Sequence, residues 1–147
     1  MSLIEALTII VIGLIGGAAV GLQGPIVSAM GQIVGPAAGS FIVHVSGAVF
    51  AGLLLFARGG ENMAHWRSLP WYMLLSGIFG VVLYLTLNQT MPRFGALTAL
   101  MLIIAGQITV GVVIDHFGWF GVAQRPIDGV RVLALGLMLL SIYLINR

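Results

Sequence analysis

The side chains able to do acid–base or metal chemistry are few. They are His44, His65 and His116, and the four acids Glu5, Glu61, Asp115 and Asp128. They are too scattered to form a metal cluster, and with no cysteine the chain offers neither thiolate ligands nor disulfides. Catalysis needs a nucleophile beside a base, or a metal with several ligands, and His44, Asp115 and His116 do not supply that set. No metal, cofactor or catalytic residue is therefore expected. What remains is a group of hydrogen-bonding side chains set in apolar surroundings: Gln23, Ser40, His44, Tyr84, Asn88 and Gln107. Polar groups in such surroundings are costly unless paired, so each should meet protein, water or a solute.

The surroundings of those residues define the solvent. Hydrophobic residues make up 60% of the 147, charged residues 7%, and mean hydropathy is +1.14. Soluble domains carry about 25% charged residues. This composition cannot cover a water-facing surface, whereas lipid demands no such cover. The basic balance comes from six Arg and no Lys. Those Arg lie near the ends of apolar runs, where they meet headgroups and set orientation, so the chain's partner is the bilayer and nucleic acid is not expected.

A span needs roughly 20 apolar residues, and five runs qualify, at residues 3–23, 37–57, 71–89, 96–115 and 130–146. Between them stand Gly24-Pro25, Gly35-Pro36, Arg58-Gly59-Gly60-Glu61-Asn62, Met91-Pro92-Arg93, and Gly118 to Gly129 with Pro126. The expected architecture is an all-α integral membrane bundle of five helices in one transmembrane domain, residues 1–147, without an internal repeat. The N-terminus lacks the basic start and small-residue cleavage site of a signal peptide, so the first span should remain in the mature protein. With five spans, Arg58, Arg67, Arg125 and Arg131 share the N-terminal side and Arg93 and Arg147 the other. This weak bias favours a cytoplasmic N-terminus and permits insertion in both orientations.

Helical spacing groups the polar and small residues into stripes. Gly13, Gly17 and Gly21 form a groove on the first helix that suits close packing. Ser40 and His44 share a face of the second helix, and an ionisable side chain inside a span is a functional candidate by default. The competing reading of His44 is a neutral ring hydrogen-bonded to a neighbouring helix. Gly77, Gly80, Tyr84 and Asn88 follow one stripe of the third helix, and Gln107, Gly111 and Asp115 one of the fourth. Gln23, Ser40, His44, Tyr84, Asn88 and Gln107 are the candidate substrate-binding residues. Gly13, Gly17, Gly21, Gly77, Gly80 and Gly111 are the candidate packing positions. Asp115 with His116 ends the fourth helix, where a negative charge opposes the helix dipole. It needs a partner such as an Arg, and serves either as a structural ion pair or as a gate or coupling site. No carboxylate lies in mid-span, which favours neutral, zwitterionic or anionic solutes over lipophilic cations.

Gly106-Gln107, then Ile114-Asp115-His116-Phe117-Gly118, Gly121, Arg125-Pro126 and Arg131, resemble the YdcZ-like family of the drug/metabolite transporter superfamily. The resemblance runs back through Pro70-Trp71, Gly77, Gly80, Asn88, Pro92 and Gly95-Ala96, and then Gln23, Gly35-Pro36 and His44-Val45-Ser46-Gly47, covering nearly the whole chain. In one departure, Val27 stands where the family often has an Asn one turn after the first-helix Gln. The resemblance implies a bacterial inner-membrane transporter of small metabolites or drugs, equivalent to one half of a ten-helix inverted-repeat protein. Inverted repeats build their site at the repeat interface, so a homodimer or a heterodimer with a paralogue is expected, antiparallel if both orientations insert. The rival readings are a non-transporting helical subunit that packs with a partner, and a membrane-embedded enzyme.

Overall fold

The computed structural model describes residues 2–147, and its regular elements are all helical. They are α1 (Leu3–Val34), α2 (Pro36–Ala57), a short 3-10 helix (Met63–Ser68), α3 (Trp71–Leu74), α4 (Gly77–Phe117), a second 3-10 turn (Trp119–Gly121) and α5 (Gly129–Ile145). The chain divides into two compact units, one ending at Pro92 and one beginning at Arg93.

In the first unit, α1 opens with a capping box. The Glu5 N–H donates to Ser2 Oγ at 3.2 Å, and the Ser2 N–H donates to Glu5 Oε2 at 2.7 Å. The helix was expected to stop at residue 23, but it runs through Pro25 to Val34. Proline removes one backbone donor. Unwinding there would strip several more hydrogen bonds in a medium with no water to replace them, so continuing the helix is the cheaper course. The break comes at Gly35 (φ 91°, ψ 148°). Pro36 pushes the residue before it out of the helical region, and only glycine takes a positive φ without strain. Pro36 then starts α2 at a position that suits proline. Beside this one-residue joint the two backbones touch: a Cβ placed on Gly39 would lie 3.4 Å from Gly31 Cα.

The same joint recurs sixty residues later. Gly95 (φ 76°, ψ 168°) interrupts α4, which the expected boundaries left as a loop after residue 89. At about 1.5 Å per residue, an unbroken helix from Gly77 to Phe117 would be twice as long as the roughly 30 Å hydrocarbon core is thick. Divided at Gly95, each part matches that thickness. The absence of a repeat in the sequence thus conceals a recurring backbone device, in which Gly35 and Gly95 correspond but Pro36 is replaced by Ala96. The expected third helix is also divided near its start: α3 is a single turn, and α4 begins only at Gly77.

Leu3–Val34, Pro36–Ala57 and Trp71–Phe117 are long and apolar enough to cross a membrane, and α5 is a shorter apolar helix. Together with the composition, these make the chain an integral membrane helical protein. Asp128 caps α5 by accepting the Arg131 N–H at 2.8 Å. The tightest side chains of the first unit are Val27 on α1 and Leu87 on α4, exposed 1% and 2%. No residue in the apolar first half of α1 is buried.

Candidate functional site

The first unit gathers four of the expected polar residues. Ser40 and His44 lie one turn apart on α2, and the His44 Nδ1 is 2.7 Å from the Ser40 carbonyl oxygen and 3.4 Å from its Oγ. Across from them, Tyr84 of α4 sets its ring edge-on to the imidazole, with centroids 5.2 Å apart and planes at 87°. Gln23 of α1 brings its side chain within hydrogen-bonding reach of the Tyr84 hydroxyl. Gly80, one turn before Tyr84, makes room for the imidazole: a Cβ there would lie 2.7 Å from His44 Nε2. Ser40 and Tyr84 are buried and His44 is half-buried. The arrangement offers hydroxyl, amide and imidazole groups that can donate to and accept from a small polar molecule. No carboxylate takes part.

Asn88 does different work. It was expected to have space beside it for a solute, but its side chain is 3% exposed and fills the place a Gly31 side chain would take. Its Nδ2 donates to the Tyr84 carbonyl at 2.9 Å, and the Gln32 Nε2 donates to the Asn88 carbonyl at 3.3 Å. Its Oδ1 is buried with no hydrogen-bond partner and packs on the Gly31 backbone. This is a seam between α1 and α4. Val27, where the family often has an Asn, lies in the same seam as a core side chain.

The packing glycines divide in the same way. Gly80 touches His44, whereas a Cβ at Gly13, Gly17, Gly21, Gly77 or Gly111 would meet nothing within 4 Å. The close approach within the first unit is made by Gly31 and Gly39, because the joint at Gly35 leaves them as the first facing positions of the two helices. Sequence reasoning passed over both. The signal was available in their equal spacing, four residues either side of a Gly-Pro break.

In the second unit, Asp115 finds the cation that a carboxylate at a helix C-terminus needs: Arg131 Nη1 lies 3.5 Å from its Oδ2. The segment between them is tied back to the end of α4. The Arg125 N–H donates to the Asp115 carbonyl at 2.7 Å, the Gln124 Nε2 to the His116 carbonyl at 3.0 Å, and the Ile127 N–H to His116 Nδ1 at 3.1 Å. Arg131 Nη1 also donates to the Arg125 carbonyl at 3.1 Å. Between α4 and α5, a cavity of about 270 Å³ is lined by apolar residues such as Val112 and Leu135, with the ion pair on its wall. Gln107 is exposed on α4. Thr98, which sequence reasoning did not single out, is buried and donates to the Asn146 Oδ1 at 3.0 Å.

The family model described as "Putative inner membrane exporter, YdcZ" matches residues 8–144. The chain belongs to this family. The match takes in both units, with Gln23, Ser40, His44, Tyr84, Asn88, Gln107 and Asp115 inside it. No curated protein and no solved structure matches the chain. Membership in the YdcZ family places the chain in the inner membrane and assigns it to a family of exporters, in agreement with the long apolar helices.

Proposed function

We propose that this chain exports a small polar solute, neutral or zwitterionic, and that Gln23, Ser40, His44 and Tyr84 form its share of the binding site. The observation that carries this reading is the convergence of four uncharged hydrogen-bonding side chains from three helices, with no acid among them. A permanent cation would find no counter-charge there. Gln107, exposed on α4 in the second unit, is a separate candidate contact for the solute, and Asn88 supports the site by holding α4 on α1. Asp115 and His116 anchor the segment before α5 and act as a gate if that segment moves. None of these groups performs bond chemistry, and the chain is not an enzyme.

The working unit in this proposal is a pair of chains in opposite orientations, either two copies or a copy and a paralogue. A five-helix half has no partner half with which to enclose a midplane site, and the open first half of α1 supplies apolar surface for one. That same open surface favours the second reading, a helical subunit that transports nothing alone. Efflux from vesicles holding only this chain separates the two. Release of labelled neutral amino acids or polyols above the rate of empty vesicles supports export, and no release across the whole panel supports the subunit reading. Reporter tags on the C-terminus should appear on both sides of the membrane. If every copy shows one orientation and no oppositely biased paralogue exists, the antiparallel pair is wrong.

A further inference from the structure

The cavity between α4 and α5, within the second unit, has a charged end and an apolar length. Its volume is about 270 Å³, and the Asp115–Arg131 pair stands at one end of its lining. Back along α4 from Asp115, the lining passes through Val112 to Ile108; onward along α5 from Arg131, it passes through Ala134 to Met138. Each series follows one stripe of its helix, so the groove runs about 10 Å from the charges. The charges stand at the membrane boundary. From the joint at Gly95, helix α4 carries Asp115 about 30 Å away, the thickness of the hydrocarbon core. The groove therefore starts among headgroups and ends among acyl chains. Ile108 and Ala134 are exposed, so a molecule in the surrounding lipid can reach it.

The ion pair at the head of this groove is not closed on itself. Its 3.5 Å separation exceeds the roughly 2.7–2.9 Å of a charge-assisted hydrogen bond. The two side chains are also 26% and 39% exposed, for Arg131 and Asp115 respectively. Arg131 Nη1 serves Asp115 and the Arg125 carbonyl, and a guanidinium has further donors on Nη2 and Nε for an anionic oxygen. The Asp115 carboxylate can accept from an ammonium group. A ligand that meets both needs anionic oxygens and an N–H-bearing cation close together, above an apolar tail. The charged residues of this end balance, Arg125 and Arg131 against Asp115 and Asp128, so a head without net charge suits it best. We propose that the groove binds phosphatidylethanolamine, with the phosphate on Arg131, the ammonium on Asp115 and part of one acyl chain along Val112 and Ala134. A choline head has no N–H to donate, and a glycerol head has no cation. None of these residues belongs to the group around His44, and the proposal does not depend on export.

Native mass spectrometry of the full chain in detergent tests this, with phosphatidylethanolamine, phosphatidylcholine and phosphatidylglycerol of identical acyl chains added in turn. The wild type should bind phosphatidylethanolamine about threefold to fivefold more tightly than either of the others, the effect of one half-exposed ion pair. Asp115→Asn should remove the preference over phosphatidylcholine and leave phosphatidylcholine binding unchanged. Arg131→Gln should weaken both lipids together, since both carry the phosphate. Ala134→Leu adds bulk to the groove at an exposed position, and should weaken phosphatidylethanolamine several-fold in a protein that melts like the parent. Glycerophosphoethanolamine, the same head without tails, should not displace the lipid at equal concentration. Wild-type binding of either comparison lipid as tight as that of phosphatidylethanolamine overturns the proposal, as does a preference that survives Asp115→Asn or unchanged binding in folded Ala134→Leu. Displacement by the tail-less head shows that the groove takes a soluble zwitterion and overturns the lipid assignment. Where a charge variant does not fold, the three lipids on the wild type and Ala134→Leu decide the matter.

Discussion

Replacing Gly31 with Ala tests whether Asn88 is a seam residue or a binding residue. A methyl on Gly31 would overlap the Asn88 amide, with Nδ2 2.9 Å away and Oδ1 and Cγ nearer still. Asn88 has little room to yield, being 3% exposed and tied through Nδ2 to the Tyr84 carbonyl. Either the amide leaves its rotamer and loses that bond, at about 1 kcal/mol, or α1 and α4 part and loosen Val27 and Leu87. Overpacking of this kind costs about 1–3 kcal/mol, so a loss of about 2 kcal/mol is expected. Asn88→Ala removes the overlapping atoms along with the unpaired oxygen, so adding it to Gly31→Ala should recover about 1 kcal/mol or more, a clear non-additive coupling. Unfolding by SDS titration in mixed micelles, followed by circular dichroism, measures all four species of the cycle. The reasoning is refuted if Gly31→Ala lies within about 0.5 kcal/mol of the parent, or if the double variant shows the simple sum.

Gln107→Leu should leave the same unfolding curve within about 0.5 kcal/mol, because the side chain is exposed, yet should slow solute efflux; unchanged efflux rules out Gln107 as a solute contact. His116 accepts the Ile127 N–H through Nδ1 at 3.1 Å. His116→Ala removes that acceptor and should quicken amide hydrogen exchange at Ile127; exchange as slow as in the parent would refute the bond. Thr98→Val should cost about 1 kcal/mol through loss of the hydrogen bond to Asn146, measured by thermal melting in detergent.

The helical class of this chain was legible because lipid imposes a single requirement, intrahelical pairing of the backbone, that composition alone reveals. The breaks were harder to read for the same reason. Pro25 and Pro92 look like terminators by the rules of water, where a freed carbonyl finds solvent. In hydrocarbon the helix continues through both and yields only at Gly35 and Gly95, where the backbone needs a positive φ. A Gly-Pro pair marks the first joint and nothing comparable marks the second, since Ala96 follows Gly95. The second joint is visible only in the backbone.

The site shows the reach of local spacing and its limit. Ser40 and His44 could be paired from a separation of four on one helix, and the Arg partner of Asp115 from the sign of the helix dipole. Tyr84 and Asn88 share the same spacing of four on α4 and seemed equivalent, but the neighbouring helices give them opposite duties. Tyr84 meets Gln23 and His44, whose side chains offer hydrogen bonds, whereas Asn88 meets Gly31, which has no side chain and leaves its oxygen unpaired. An unpaired buried oxygen costs about 1–3 kcal/mol, and its retention here is offset by the close approach that Gly31 permits. The division between the proposed binding side chain and the packing one on α4 is therefore set from α1, by a glycine whose partner cannot be named until the turn at Gly35 has been made.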